Sequence, residues 1–305
     1  MSDWTRNSSA STTIRSVRGS LPYRTPEVLP LTPPTEQCSF PVNLYRERHG
    51  TGVPLVLAHG LAGSARNFLP QVRRGPLVSR VHLYDARGHA RSEAPREESA
   101  YAFDCFVSDF GQIVHEALGE NPGVTPRKAI VGGLSFGAVT ALLWALRNPN
   151  LISGLVLAAY PESTDEMRTW SSTFANCIDA NGLDAAGYEY VWGPRGRFGR
   201  DDAQAVRRGF LQHSPHAISA ILRKSMANFP EIRSLSAALE EFRVPTLLVV
   251  GGEDSGSLAA SKKITGALSN ASLAIIEGAG HVVNLSSPER FNEVLAHFVR
   301  ICSSA

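Results

Sequence analysis

Long apolar runs are missing from this 305-residue chain. Nothing approaches the roughly 18 apolar residues that cross a bilayer, and the N-terminus has no apolar signal-peptide core, so a cytoplasmic protein without a membrane partner is expected. Charge of one sign is missing too. The 30 Lys and Arg against 28 Asp and Glu leave a formal +2, too weak a field for nucleic acid, and the arginines are scattered instead of clustered. A small-molecule partner follows, with a homo-oligomer left open. Cysteine is scarce: Cys38, Cys105, Cys177 and Cys302 stand far apart with no Cys-x-x-Cys spacing. That pattern suggests neither a zinc site nor a disulfide framework, and the four read as small buried hydrophobes. There is no glycine-rich phosphate loop, dinucleotide fingerprint or metal-ligand cluster, so no cofactor and no metal are implied.

What is present divides into an arm and a folded body. In residues 1–40 Ser and Thr are dense, and Pro22, Pro26, Pro30, Pro33 and Pro34 break any regular element, so a flexible arm is expected. Arg15, Arg18 and Arg24 faintly suggest an organelle transit peptide, but Asp3 and the lack of an amphipathic period argue against it. Beyond the arm, short apolar runs alternate with helical patterns. This is the signature of the α/β class, a mostly parallel, doubly wound sheet with crossover helices on both faces. Leu55–Ala58, Val81–Tyr84, Ala129–Gly132, Gly154–Ala158, Thr246–Val250 and Ser272–Ile276 are nearly continuously apolar, as strands buried on both faces must be. Val42–Arg46 is a candidate hairpin partner before them. Residues 163–240 carry helical patterns and no convincing strand.

Sites in open parallel sheets form beyond the carboxyl ends of the strands. The residues there are chemically rich: His59-Gly60, Asp85-Ala86-Arg87-Gly88-His89, Ser135, Tyr160-Pro161-Glu162, Glu253-Asp254 and Gly280-His281. Gly133-Leu134-Ser135-Phe136-Gly137 is the most informative stretch, because it lies between an apolar run and the helix-like 138–146. A serine on such a sharp turn takes strained backbone angles, and a Cβ two residues to either side would crowd the neighbouring elements. The Phe136 N–H falls at a helix N-terminus, where unpaired donors and the helix dipole favour an oxyanion. A neutral hydroxyl needs a general base to become a nucleophile. His281, after the flexible Gly278-Ala279-Gly280, can take that proton and return it. Asp254, just past Gly251-Gly252-Glu253, is the candidate to orient the histidine, with Glu253 as its nearest rival.

Four motifs together resemble the α/β-hydrolase superfamily across about residues 42–300. They are His59-Gly60, Asp85-x-Arg87-Gly88-His89-x-x-Ser92, the serine turn, and Gly278-x-Gly280-His281 before a final helix. The chain order serine, acid, histidine agrees. The resemblance implies a hydrolase core from 41–162 and 241–305 with a helical cap over 163–240. Trp170, Phe174, Tyr188, Tyr190, Trp192, Phe198 and Phe210 would supply the cap's apolar surface, mostly as packing. A loop over Arg195–Arg200 would face water or receive an acidic substrate. The resemblance also implies the Leu61 N–H as a second oxyanion donor, a loop-shaping role for His59 and a structural ion pair in the Asp85-Arg87-His89 turn. Some relatives place the acid after the sixth strand, so Glu162 and Asp165 are outside candidates, and His213 and His216 are candidates for the cap pocket. Serine in place of aspartate argues against the haloalkane dehalogenase and epoxide hydrolase branches. The expected function is a cofactor-independent serine hydrolase cleaving an ester, lactone or related acyl bond through an acyl-enzyme, similar to small bacterial carboxylesterases and enol-lactonases. Amide, thioester or carbon–carbon hydrolysis on the same triad, perhydrolysis, and a low-turnover ligand-binding receptor are the alternatives.

Overall fold

Seven strands make one sheet in the order β1-β3-β2-β4-β5-β6-β7 in the computed structural model, which describes residues 38, 40–74, 79–119, 128–194 and 203–303. The strands are β1 Arg46–His49, β2 Val53–Ala58, β3 Ser79–Tyr84, β4 Ala129–Leu134, β5 Ile152–Ala158, β6 Thr246–Gly251 and β7 Ala271–Ile276. β1 runs antiparallel to β3, and every other neighbouring pair is parallel. All six apolar runs are therefore strands, each one or two residues longer than the apolar signal alone suggests. The hairpin partner lies further along than Val42–Arg46. The carbonyls of Asn43 and Tyr45 accept from Glu93 N–H at 3.0 Å and Asp85 N–H at 2.9 Å, so the loop after β3 engages this stretch before it can pair as a strand.

Helices α1 Leu69–Arg74, α2 Phe103–Gly119, α3 Phe136–Arg147, α8 Ser255–Ala267, α9 Val283–Ser286 and α10 Pro288–Ser303 flank the sheet. Successive strand residues serve opposite faces. Leu55, Leu57, Leu247 and Val249 pack with Phe291, Leu295 and Phe298 of α10, while Val56, Ala58, Leu248 and Val250 pack with the side of α2 and α3. Both faces need apolar cover, and each fully buried Leu, Val or Phe contributes about 1.5–3 kcal/mol, which is why these strands read as unbroken apolar runs. Between β5 and β6 the described chain holds only helical elements, chiefly α4 Asp165–Gly187, α5 Ala203–Phe210, α6 Pro215–Ile221 and α7 Ser236–Glu241. The expected arm over 1–40 falls outside the described residues except for Cys38 and Phe40, and the expected loop Arg195–Arg200 lies wholly outside them. No described helix is long and apolar enough to cross a membrane.

The cysteines overturn one expectation. Cys38 and Cys105 form a disulfide across a sequence separation of 67, leaving Cys177 and Cys302 as free thiols. The bridge fastens the segment before β1 to α2, next to a buried ion pair. Arg87 donates to both carboxylate oxygens of Asp109 at 2.7 Å, to Ala100 O at 2.8 Å and to Phe40 O at 3.3 Å. Both charges are almost fully buried, with side-chain exposures of 1% and 4%, so each is tolerable only because the other is there. Disulfides persist in oxidising compartments, so the bridge and the cytoplasmic expectation predict different thiol counts. We expect protein purified without reductant and denatured in guanidinium to titrate two thiols, rising to four after reduction. Loop-closure entropy puts the stability lost on reduction at up to about 4 kcal/mol. Four thiols before reduction would remove the bridge from the native protein.

Candidate active site

β4 ends at Leu134 and α3 begins at Phe136, leaving Ser135 as a one-residue turn with φ 53° and ψ −115°. Its N–H donates to Ala158 O at 2.8 Å, which holds the turn against β5. The flanking glycines are required sterically. A Cβ on Gly133 would lie 2.3 Å from the Gly137 carbonyl carbon, and one on Gly137 would lie 2.2 Å from Ala58 O. Strand and helix can meet this closely only with hydrogen at both positions, and the close meeting presents the serine hydroxyl above the sheet.

His281 stands on the turn between β7 and α9, and its Nε2 lies 3.0 Å from Ser135 Oγ. Its Nδ1 lies 2.5 Å from Asp254 Oδ2. With Nδ1–H donating to the carboxylate, Nε2 is left free to accept the serine O–H. Asp254 also caps α8 by accepting from Ser257 N–H at 3.2 Å. Burial alone would raise the Asp254 carboxyl, but its hydrogen bonds with His281 and Ser257 and the charge of the imidazole outweigh that and hold its pKa at about 2. An ionised carboxylate is thus assured through the neutral range. Ser257 Oγ lies 3.4 Å from His281 Nδ1 as well. In the sequence Ser257 shows one signal alone, its position three residues after a capping aspartate.

The loop after β2 closes the other side. The N–H groups of Leu61 and Phe136 have no hydrogen-bond acceptor among the described residues. Both belong to segments that frame Ser135, and Leu61 and Ser135 line the same pocket. The loop is held by its neighbours: Ala62 N–H donates to His89 Nε2 at 3.1 Å, Ser64 N–H to Asn67 Oδ1 at 2.7 Å and Ala65 N–H to Asp85 Oδ1 at 2.8 Å. A buried amide network then couples it to the histidine side. Gln71 Nε2 donates to Asn284 O and Asn292 Oδ1, both at 3.0 Å, and Asn284 Nδ2 donates to Asn67 O at 2.8 Å. These three amides carry no local sequence signal, because each is polar in an ordinary helical context and becomes informative only when buried.

The pocket over Ser135 has a volume of about 750 Å³. Met167, Trp170, Phe174, Val206, Phe210 and Met226 of the helical insertion form its apolar wall. The aromatics support one another, with Phe174 stacked on Tyr190 at 4.7 Å and Trp170 5.3 Å from Phe174. Among the described lining residues there is no Lys or Arg, and Glu253 is the one acid. Glu253 is exposed at the rim. Glu162 pairs with Lys263, and Asp165 pairs with Arg168 at the start of α4, so the two outside candidates are engaged elsewhere. Tyr188 is 57% exposed, and Phe198 lies outside the described residues. Neither His213 nor His216 is among the described residues that line the pocket. His213 is buried against the loop at Ala62, and His216 is exposed with Nε2 near Pro95 O at 3.1 Å. The expected ion pair in the Asp85 turn is really two pairs. Asp85 binds Arg91 at 2.7 Å, and Arg87 binds Asp109. His59 shapes the loop, accepting from Ala86 N–H at 2.9 Å and donating to Gly60 O at 2.8 Å.

Comparison with known proteins agrees with this fold. A Bacillus subtilis (strain 168) protein provisionally named 2-succinyl-6-hydroxy-2,4-cyclohexadiene-1-carboxylate synthase is 25% identical over 261 residues, covering 80% of this chain and 89% of the relative. Among solved structures, a thermophilic esterase from Thermogutta terrifontis is similar with a TM-score of 0.72 at 22% identity, covering 86% of this chain and 94% of the other. The enol-lactonase from Burkholderia xenovorans LB400 is similar with a TM-score of 0.68 at 20% identity, covering 85% and 97%. The profile of the alpha/beta hydrolase family matches residues 55–294, from β2 into α10. The chain belongs to the alpha/beta hydrolase family and is an enzyme of that hydrolase superfamily.

Proposed function

We propose that this enzyme is a cofactor-independent serine hydrolase that cleaves esters, or lactones, of uncharged apolar acids through an acyl-enzyme. The observation that carries the reading is the hydrogen-bonded chain Ser135–His281–Asp254 at the floor of an apolar pocket. In the proposed reaction Ser135 Oγ attacks the substrate carbonyl carbon while His281 Nε2 takes the hydroxyl proton. The tetrahedral oxyanion is stabilised by the N–H groups of Leu61 and Phe136. Collapse breaks the ester bond, and the imidazolium returns its proton to the departing alcohol. Water then enters, gives a proton to the same histidine, attacks the acyl carbon and releases the acid with the serine restored. The helical insertion over 163–240 acts as the cap that sizes the acyl pocket.

The chemistry of the wall favours neutral substrates. A carboxylate entering an apolar pocket without a cationic partner meets a large desolvation penalty, and among the described lining residues there is no Lys or Arg to offset it, while Glu253 would repel it. Among the described lining residues, the carboxylated substrate in the name of the Bacillus relative would meet no Lys or Arg. The test is a p-nitrophenyl ester series from acetate to decanoate, run beside the mono-succinate ester. Turnover should rise from acetate towards medium chains, since each buried methylene adds about 0.8 kcal/mol. The succinate ester should be at least about tenfold slower than a neutral ester of equal length. A quenched reaction should show the acyl mass on the peptide holding Ser135. Failure of the folded protein to hydrolyse any of these esters would sink the ester reading, and a preference for succinate would overturn the neutral-acyl assignment.

A further inference from the structure

Three buried histidines from three separate segments meet behind the loop that carries Leu61. His59 follows β2, His89 follows β3, and His213 comes from the turn between α5 and α6 in the helical insertion. Their rings pack edge to face, His59 on His89 at 4.9 Å and His89 on His213 at 5.2 Å. Each ring accepts one backbone N–H and donates to one backbone carbonyl, which sets its tautomer and makes it neutral. His59 joins Ala86 N–H to Gly60 O. His89 Nε2 accepts from Ala62 N–H at 3.1 Å, and its Nδ1 donates to Arg87 O at 3.0 Å. His213 Nδ1 accepts from Ala90 N–H at 2.9 Å, and its Nε2 donates to Ala62 O at 2.8 Å. Burial depresses all three basicities, His213 to about 4, so the neutral forms persist through the neutral range.

The residues these rings hold are strained. Ala62 and Ala90 have left-handed backbones, with φ 52° and 40°, a conformation that strains a non-glycine residue. His213 binds the carbonyl of one and the N–H of the other, while His89 grips the Ala62 N–H. Gly60 O is secured twice, by His59 and by Gly63 N–H at 3.0 Å. Leu61 lies between these two fixed points, its N–H left without an acceptor among the described residues. The Leu61 N–H lies in the Gly60–Leu61 peptide, one residue's φ and ψ away from the Leu61–Ala62 peptide, so a relaxed Ala62 would turn the Leu61–Ala62 peptide and shift Leu61, and that N–H, against the anchor at Gly60 O.

We propose that His213 is a positioning residue: by clamping Ala62 from the helical insertion, it keeps the Leu61 N–H presented to the oxyanion, so the donor pair is complete only while the insertion is docked on the loop. This rests on the acyl-transfer reading above. The insertion, besides forming the pocket wall, then decides whether the core can stabilise a transition state. A substrate that loosened the insertion would weaken its own turnover.

The test uses the full chain and three variants. His213→Ala removes both bonds, His213→Asn keeps an acceptor for Ala90 N–H, and His213→Gln places a donor near Ala62 O. A displaced donor of about 1 Å can cost on the order of 100-fold. Accordingly, kcat for a p-nitrophenyl ester should fall roughly 10- to 100-fold in the Ala and Asn variants, with KM changed less than about twofold, and return to within about threefold of wild type in the Gln variant. Amide exchange at Ala62 should accelerate at least about tenfold in the Ala and Asn variants, while Val131 in β4 reports unchanged global opening. Unchanged kcat with accelerated exchange would overturn the positioning role, and unchanged exchange at Ala62 would overturn the clamp itself. If the wild type turned over no ester, the hydrolase reading would fail, whereas the exchange comparison would still decide the clamp.

Discussion

Ser135→Ala should abolish ester turnover, lowering kcat on the order of 10⁵- to 10⁶-fold while leaving the fold intact. The size of the effect follows from the arrangement. His281 and Asp254 exist here as a unit aimed at one oxygen, with Nε2 3.0 Å from it, and without that oxygen the unit has nothing to activate. Residual rate would come only from the oxyanion donors and from substrate binding. Ser135→Gly should be equally inactive but more stable than Ser135→Ala by roughly 1 kcal/mol, because φ 53° with ψ −115° is a conformation that only glycine adopts without strain. Kinetics on a butyrate ester and denaturant unfolding of the three proteins check both halves. Turnover by Ser135→Ala within tenfold of wild type would end the serine mechanism. Equal stability of the two variants would show that the turn stores no strain.

Much of this is legible in the sequence itself. Buried strands write themselves as apolar runs because both faces need cover, and Gly133 and Gly137 announce the turn because a Cβ at either position collides with backbone. Ser135, Asp254 and His281 come together as the chain order and strand ends suggest. The parts that escaped share one cause: they depend on pairings between distant positions with no local pattern. Cys38 meets Cys105 across 67 residues, and spacing alone carries no information at that range. Ala62 meets His213 across 151 residues, and an isolated histidine in a polar turn looks like any surface residue. Gln71, Asn284 and Asn292 are buried only because the loop after β2 and the segment after β7 pack together. The first strand falls later than Val42–Arg46 for a related reason, since the partners of that stretch lie in the loop after β3, where hydrophobic alternation gives no guide.

Asp254→Asn should lower kcat on the order of 10⁴-fold without unfolding the protein. In the proposed reaction the carboxylate at 2.5 Å from His281 Nδ1 does two things. It keeps the proton on Nδ1, so that Nε2 can accept from Ser135, and it stabilises the imidazolium that forms as the serine attacks. An asparagine amide donating to Nδ1 would drive the proton to Nε2, turning the base into a donor that cannot take the serine proton. Because the folded carboxyl titrates at about 2 instead of its ordinary 3.8, its contribution to stability is fully present above about pH 4 and is lost as the pH falls from there towards 2. Any activity limb above pH 4 must therefore belong to another group. Glu253→Gln is the companion measurement. The exposed rim position of Glu253 means this change should alter kcat by no more than about threefold, since exposed charges act weakly through water. If Glu253→Gln collapsed the rate while Asp254→Asn preserved it, the orienting role would pass to Glu253.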